Sequence, residues 1–258
     1  MPSSERDKVL SQTVIMVHGA FCGAWCFDAF RAPFEAAGYA VRALDLPGHG
    51  EDRNRSAIGR ASMADYATFV ARACADCAEP PVLLGHSMGG LVAQLAAAKA
   101  PVSALVLLAP SAPWGVPGST IEEAVSAVSL MGMSPFFSMP IDPDYGLAAQ
   151  YSLNRYPAES RRALYQRMGP ESGRALWETL NWWLDPFMTT SVPPHRIRAP
   201  AFAVAGGRDL IHPPVTVRQT AARLGGEVRV FDEMSHWLVG EPGWDQVAEA
   251  CLEWLGKR

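Results

Sequence analysis

The stretch PVLLGHSMGGLVAQLAAAKA, Pro81 to Ala100, joins a short apolar run to an alanine-rich one through Gly85-His86-Ser87-Met88-Gly89-Gly90. Glycines between a strand and a helix often cradle a phosphate. The spacing argues against that here. A dinucleotide turn requires G-x-G-x-x-G and a P-loop requires G-x-x-x-x-G-K-[ST]; the stretch supplies neither, and no lysine follows the glycines. The pattern fits G-x-S-x-G, in which a serine stands on a strained strand-to-helix turn whose neighbours must be small. Val82-Leu83-Leu84 is continuous in apolar residues, as a strand buried on both faces is. Leu91 to Ala98 is a strong helix former. Strand, turn and helix therefore fall in the order that the pattern needs.

Outward from this point the chain alternates apolar runs with helical periodicity, which predicts β-α units and a mostly parallel sheet with helices on both faces. Strands are expected at Thr13–Val17, Ala40–Leu44, Val82–Leu84, Ala104–Leu108, Ala201–Ala205 and Glu227–Phe231, and helices near Trp25–Ala37, Ala64–Cys77, Gly89–Ala100, Pro214–Leu224 and Gln246–Leu255. About ninety residues separate the fourth strand from the fifth, far more than a single crossover helix takes up. Helical patterns at Thr120–Leu130, Leu147–Met168 and Gly173–Leu184 make the interval an inserted helical cap. The expected division is a core of residues 1–112 and 195–258 with a cap of 113–194.

Composition narrows the function. The 258 residues are 49% hydrophobic with a net charge of −4, enough for a large core. No Lys/Arg-rich block appears, so neither a nucleic-acid nor an anionic-membrane surface is expected. No apolar run reaches the ~18 residues of a membrane span, and the N-terminal MPSSERDK has no signal-peptide core. With five cysteines, this predicts a cytoplasmic protein acting on a small molecule as a monomer or homodimer. Cys74-Ala75-Asp76-Cys77 has no second pair or histidine at ligand spacing and reads as helix packing. No metal or cofactor is expected.

A serine hydroxyl needs a base to take its proton and a third group to orient that base. Acid and base for such a serine follow it in chain order, each after a later strand. AFAVAGGRDLIHPP places Asp209 just beyond an apolar strand, and VRVFDEMSHWLVGEP places His236 after the next. Asp209 is the expected acid and His236 the expected base for Ser87. Asp209 also suits a helix cap, while Asp232 and Glu233 compete as acids but lie close to His236 in sequence. Asp45 reads as a turn former, His86 as a packing residue, His195 as part of a linker and His212 as a further pocket candidate. A tetrahedral oxyanion needs donors already aimed at it. The Met88 N–H at the helix start is one, and the Ala20 N–H in VHGAFCGAW, after the first strand, is the other, with His18 bracing that loop from behind. Phe21, Cys22, Trp25 and Trp237 lie near these loops, and Met131, Phe136 and Phe137 in the cap; these seven are the expected substrate contacts. Arg155, Arg161, Arg162 and Arg167 read as a solvated helix face.

Together these residues resemble the α/β-hydrolase superfamily over essentially the whole chain. HGAFCGAWCF is similar to the H-G-A-x-x-G-x-W opening of the branch that contains plant methylesterases and hydroxynitrile lyases. The resemblance implies Ser87, Asp209 and His236 as the triad and Ala20 and Met88 as oxyanion donors. Ester hydrolysis through an acyl-enzyme is the expected reaction, and the Met- and Phe-rich cap, with Phe21, Cys22, Trp25 and Trp237 near the catalytic loops, suggests a small to medium apolar or aromatic substrate. Thioesters, lactones, activated C–C bonds and non-catalytic ligand binding stay open. The lyases carry Thr where this chain has Gly19, and Lys after the catalytic histidine where it has Trp237, so cyanide chemistry is not expected. The family's N-terminal strand pair is expected to be shortened or missing.

Overall fold

A computed structural model of the chain describes residues 12–50, 54–132 (the side chains of 130–132 excepted) and 139–258. In chain order the elements are β1 (Thr13–Val17), α1 (Asp28–Ala36), β2 (Ala40–Leu44), α2 (Arg55–Ile58), α3 (Met63–Ala75), β3 (Val82–His86), α4 (Met88–Ala97) and β4 (Ala104–Leu108). Then come α5 (Ile121–Gly132), β5 (Pro140–Ile141), α6 (Tyr145–Leu147), α7 (Ala158–Arg167), β6 (Glu171–Ser172) and α8 (Gly173–Leu180). The chain closes with β7 (Ala201–Gly206), α9 (Pro214–Arg223), β8 (Glu227–Phe231) and α10 (Trp244–Leu255).

Six strands form one sheet in the order β2-β1-β3-β4-β7-β8, and every pairing within it is parallel. The strands fall where the apolar runs place them because β3, β4 and β7 are buried along their whole length and need apolar residues on both faces. The edge strands β2 and β8 alternate toward solvent instead. Side chains one residue apart enter different cores. Ile15 and Val17 pack with α3, α4 and α9, whereas Val14 and Met16 pack with Phe30 and Phe34 of α1 and Val247 and Cys251 of α10. Helices thus cover both faces. Cys74 lies in the first of these cores, Cys77 donates to the Ala73 carbonyl, and all five cysteines are free.

Between β4 and β7 the chain leaves the sheet. The helix expected over Leu147–Met168 is interrupted: Ala148–Ser152 widens into a π-helical turn, and α7 begins afresh behind Pro157. Proline disfavours helical backbone in the residue before it and lacks the N–H that a continuing helix uses. The pattern at Gly173–Leu184 ends at Leu180 and continues only as a 3-10 turn, Trp182–Leu184. The arginines of this segment are engaged rather than merely solvated. Arg155 reaches Glu233 at 3.3 Å and Arg167 reaches Asp28 at 2.8 Å, while Arg162 lies over the Tyr145 ring. Among the described residues no helix is long and apolar enough to cross a membrane.

Candidate active site

Parallel strands bring their carboxyl ends to one edge of the sheet, and open α/β sheets bind ligands outside that edge. Ser87 sits there, directly after β3, at φ 55° and ψ −125°. A non-glycine residue held at such a backbone costs on the order of 1–3 kcal/mol and persists only where its surroundings enforce it. Here they do. The Ser87 N–H donates to the Leu108 carbonyl, and the Ser87 carbonyl accepts from the N–H groups of Gly90 and Ser111. The glycines follow from close approach. A Cβ on Gly85 would lie 2.3 Å from the Gly89 carbonyl oxygen, and one on Gly89 would lie 2.3 Å from the carbonyl oxygens of both Val17 and His18.

The loop after β8 carries His236 back over the end of β7. Gly206 and Gly207 make room for it, since a Cβ at either would fall within 2.4 Å of the Ser235 or Asp232 carbonyl oxygen. His236 is buried, with Nε2 2.9 Å from Ser87 Oγ and Nδ1 2.9 Å from Asp209 Oδ2. The other oxygen, Asp209 Oδ1, accepts from the N–H groups of Ile211 and His212 at 2.8 and 2.9 Å. Asp209 therefore caps its loop and holds the imidazole at once. Burial alone would raise its pKa, but His236 and His212 bring it below the ordinary value. An ionised Asp209 accepts from Nδ1–H and leaves Nε2 free to accept the Ser87 proton. Asp232 and Glu233 are exposed, and Glu233 pairs with Arg155 and Arg208.

Three further histidines surround this line, and burial keeps each neutral. The His86 pKa falls to about 3, pushed down by burial and by His236, and its Nε2–H donates to the His236 carbonyl at 2.8 Å. His212 falls to about 3 for the same reasons and is hydrogen-bonded to Ser111 Oγ at 2.9 Å. His18 falls to about 4 through burial and the nearby His49. His18 Nε2 accepts from the Leu46 N–H, so Nδ1 carries the proton and donates to the Gly19 carbonyl at 2.8 Å. Asp45 anchors the adjoining turn by accepting from the Ala24 N–H at 2.7 Å.

The loop after β1 passes close over the serine: a Cβ on Gly19 would lie 2.9 Å from Ser87 Cβ. Ala20 and Met88 both line the cavity in front of Ser87, and among the described residues neither N–H has a protein acceptor. The cavity has a volume of about 100 Å³. Gly19, Phe21, Cys22, His86, Ser87, His236 and Trp237 line it from the core, and Leu147, Ala148, Met168, Leu176, Thr179 and Leu180 line it from the segment between β4 and β7. Ser111, Ser126, Ile211 and His212 also line it, as do Pro143, Asp144, Tyr151 and Ser152.

Of the expected substrate contacts, Phe21, Cys22 and Trp237 are in this wall. Trp25 is not, and its placement is corrected. The 3-10 turn Ala24–Phe27 carries it behind Trp237, at 6.0 Å between rings, and under the Arg167 guanidinium, so that it lines a separate open groove with Asp45 and His49. Phe136, Phe137 and the Met131 side chain lie outside the described residues. Two buried carboxylates that reach the catalytic loops have no counterpart in the sequence reading. Glu241 accepts from both the N–H and the hydroxyl of Ser235, beside His236, and Glu171 reaches the loop after β1. Neither has a local signal in sequence.

Residues 14–250 match the model of the alpha/beta hydrolase family. Methylesterase 3 of Arabidopsis thaliana is 37% identical over 90 residues, which cover 34% of this chain and 34% of that protein. The chain thus spans about a third of the length of that relative. A probable esterase of Oryza sativa subsp. indica is 29% identical over 245 residues, covering 87% of this chain and 82% of the rice protein. Among solved structures, an Arabidopsis methylesterase superposes with a TM-score of 0.73 at 18% identity, covering 96% of this chain and 100% of that one. A pyrethroid hydrolase from Sphingobium faniae superposes with a TM-score of 0.73 at 22% identity, covering 94% and 96%.

Proposed function

The chain belongs to the alpha/beta hydrolase family, and we propose that within it the protein is a serine-dependent carboxylic ester hydrolase that works through an acyl-enzyme. The observation that carries this reading is the unbroken line from Ser87 Oγ through His236 to Asp209, opening on an apolar cavity. His236 Nε2 takes the hydroxyl proton as Ser87 Oγ attacks the ester carbonyl. The N–H groups of Ala20 and Met88 receive the oxyanion. The protonated imidazole, held by Asp209, then gives its proton to the departing alkoxide. Water repeats the sequence on the acyl-enzyme and releases the acid.

The surroundings support an uncharged substrate. A space of about 100 Å³ suits a small acyl or aryl group. Of the polar side chains that line it, Ser111 and His212 are bonded to each other, Asp144 accepts from the Leu147 N–H, and the Ser126 and Thr179 hydroxyls donate to the Glu123 and Ala175 carbonyls. We assign residues 113–194 as the cap that closes this space. The methylesterase and esterase names of the relatives agree with ester cleavage. A hydroxynitrile lyase needs a side-chain donor and a cation beside the leaving anion; Gly19 and Trp237 provide neither.

The test is a panel of p-nitrophenyl esters of graded chain length, run beside thioesters, lactones and a vinylogous diketone. Ser87 should be labelled 1:1 by a fluorophosphonate, and Ser87→Ala should lose about three to six orders of magnitude in kcat while keeping its fold. Stoichiometric labelling of another serine, or cleavage of the diketone with no ester turned over, would overturn the assignment. Tight ligand binding by unlabelled protein with negligible turnover of any class would make it a receptor.

A further inference from the structure

Glu171 stands on β6, in the segment between β4 and β7, and its side chain is wholly buried. Both oxygens are fully used. Oε1 accepts from the Tyr66 hydroxyl at 2.8 Å and the Ser172 N–H at 2.7 Å. Oε2 accepts from His49 Nε2 at 3.1 Å and the Phe21 N–H at 3.3 Å. Tyr66 belongs to α3, His49 follows β2, and Phe21 follows β1, so one carboxylate joins three parts of the core to the inserted segment.

Phe21 is where this matters. Its φ of 63° is a left-handed backbone on a bulky residue, which needs outside enforcement. Two residues before Glu171, the Gly169 N–H donates to the Phe21 carbonyl at 2.9 Å. The inserted segment therefore grips Phe21 by both its N–H and its carbonyl. On the other side, the Gly19 carbonyl is held by His18 Nδ1 and by the Cys22 N–H. Ala20 lies between these two anchors. Its N–H shares a planar peptide with the Gly19 carbonyl, so fixing that carbonyl and the following residue fixes the direction in which the N–H points.

We infer that Glu171 is a positioning residue for the Ala20 N–H, coupling the inserted segment to the oxyanion loop through Phe21 and His49. The inference rests on the proposed ester hydrolysis. Glutamine at this position keeps one acceptor oxygen and turns an NH2 against one pair of donors, either Phe21 and His49 or Tyr66 and Ser172.

The experiment compares Glu171→Gln, Glu171→Asp and Tyr66→Phe with the wild-type protein. It measures kcat and KM for p-nitrophenyl acetate and the inhibition constant of an aryl trifluoromethyl ketone, whose adduct with Ser87 carries an oxyanion. Losing a donor outright costs about 10²–10³ in kcat, and misaiming it should cost less. Glu171→Gln is expected to lower kcat roughly 10- to 100-fold and weaken the ketone by the same factor, with KM nearly unchanged. Glu171→Asp should recover part of both losses. Tyr66→Phe removes a donor remote from the loop and should lower Tm while leaving kcat and inhibition as they are. Glu171→Gln and Glu171→Asp both matching wild-type kcat, or Tyr66→Phe losing as much as Glu171→Gln, would overturn the inference. If Glu171→Gln does not fold, Glu171→Asp carries the test against Tyr66→Phe by the same criteria. Failure of the underlying reading looks different: wild-type protein would turn over no ester and Ser87 would resist the fluorophosphonate.

Discussion

Replacing Asp209 by asparagine keeps the shape of the side chain and separates two accounts of what the carboxylate does. If Asp209 contributed only a charge-assisted hydrogen bond, losing it would cost about 1.5–3 kcal/mol, a factor of roughly 10–150. The structure argues for more. Oδ1 accepts from two half-buried N–H groups, Ile211 and His212. The amide of an asparagine must keep its oxygen there, because turning its NH2 against those donors would strand both at about 1–3 kcal/mol each. Its NH2 then faces His236 Nδ1, now 2.9 Å from Oδ2. An NH2 group donates, so Nδ1 must become the acceptor and the ring proton must move to Nε2. Nε2 then points a proton at Ser87 Oγ and cannot take one. A wrong tautomer costs a serine triad about 10⁴ in kcat, or roughly 5.5 kcal/mol. The assay is kcat for p-nitrophenyl acetate together with the rate of fluorophosphonate labelling, on protein whose fold is verified by circular dichroism. Both rates should fall by about 10⁴. Asp232→Asn and Glu233→Gln, at exposed positions, should stay within about twofold of wild type. An Asp209→Asn protein within tenfold of wild type, or a crippled Asp232→Asn, would refute the reasoning.

Gly89→Ala places a Cβ 2.3 Å from two backbone oxygens of β1 and should cost about 3 kcal/mol or more. That is a Tm loss of roughly 6–12 °C with labelling abolished, and a stable, labelled protein would contradict the elbow geometry. Leu176→Ala opens the wall of the cavity that Ser87 also lines and should move the preferred acyl chain longer by one or two carbons. Each added methylene is worth about 1 kcal/mol in kcat/KM, and an unmoved optimum would remove Leu176 from the substrate wall. The His49–Glu171 pair sets a pH window for stability. Burial would lower the His49 pKa, but Glu171 raises it above 6.5; burial would raise the Glu171 pKa, but His49 lowers it below 4.5. The His49 contribution is thus complete below pH 6.5 and lost as pH rises through its raised pKa. That of Glu171 is complete above pH 4.5 and lost as pH falls through its depressed pKa. The Tm advantage over His49→Gln should peak between about pH 5 and 6.5 and shrink on either side; an advantage growing toward pH 9 would reverse the assignment.

The sheet was legible because its central strands are buried on both faces, and continuous apolar runs such as Leu105–Leu108 have few other uses. Ser87 and Asp209 were legible because each follows such a run beside glycines that close backbone approach explains, and His236 because it comes after the next strand, in the chain order that such a serine needs. The inserted segment was legible as an interval but not in detail. The break before Pro157 follows a local rule, whereas the π-helical turn at Ala148–Ser152 carries no sequence mark. Trp25 shows where sequence proximity misleads: it is near Cys22 in the chain, yet a single 3-10 turn takes it out of the cavity. Glu171 and Ser111 were illegible for another reason. Their partners Phe21 and His212 are 150 and 101 residues away, and a glutamate in GPESG is indistinguishable from a loop residue until the chain is folded.

These distances bear on how variants of the inserted segment should be interpreted. From sequence the segment is expected to choose substrates while the core supplies chemistry. In the fold, Leu147, Met168 and Leu176 do face the cavity from it, where a change in side-chain volume acts on substrate size. Gly169 and Glu171 of the same segment hold Phe21 instead, on the far side of the loop that carries Ala20. Met168 and Gly169 are neighbours, so the two roles meet within one stretch of backbone. A substitution at Met168 that only reshapes the wall should change KM or kcat/KM for long esters and leave acetate alone. One that shifts the backbone at Gly169 should lower kcat for every ester, acetate included, because the proposed oxyanion donor, the Ala20 N–H, moves for all of them. Small-ester kcat is therefore the measurement that separates substrate choice from catalytic assembly in this segment, and chain-length preference by itself does not.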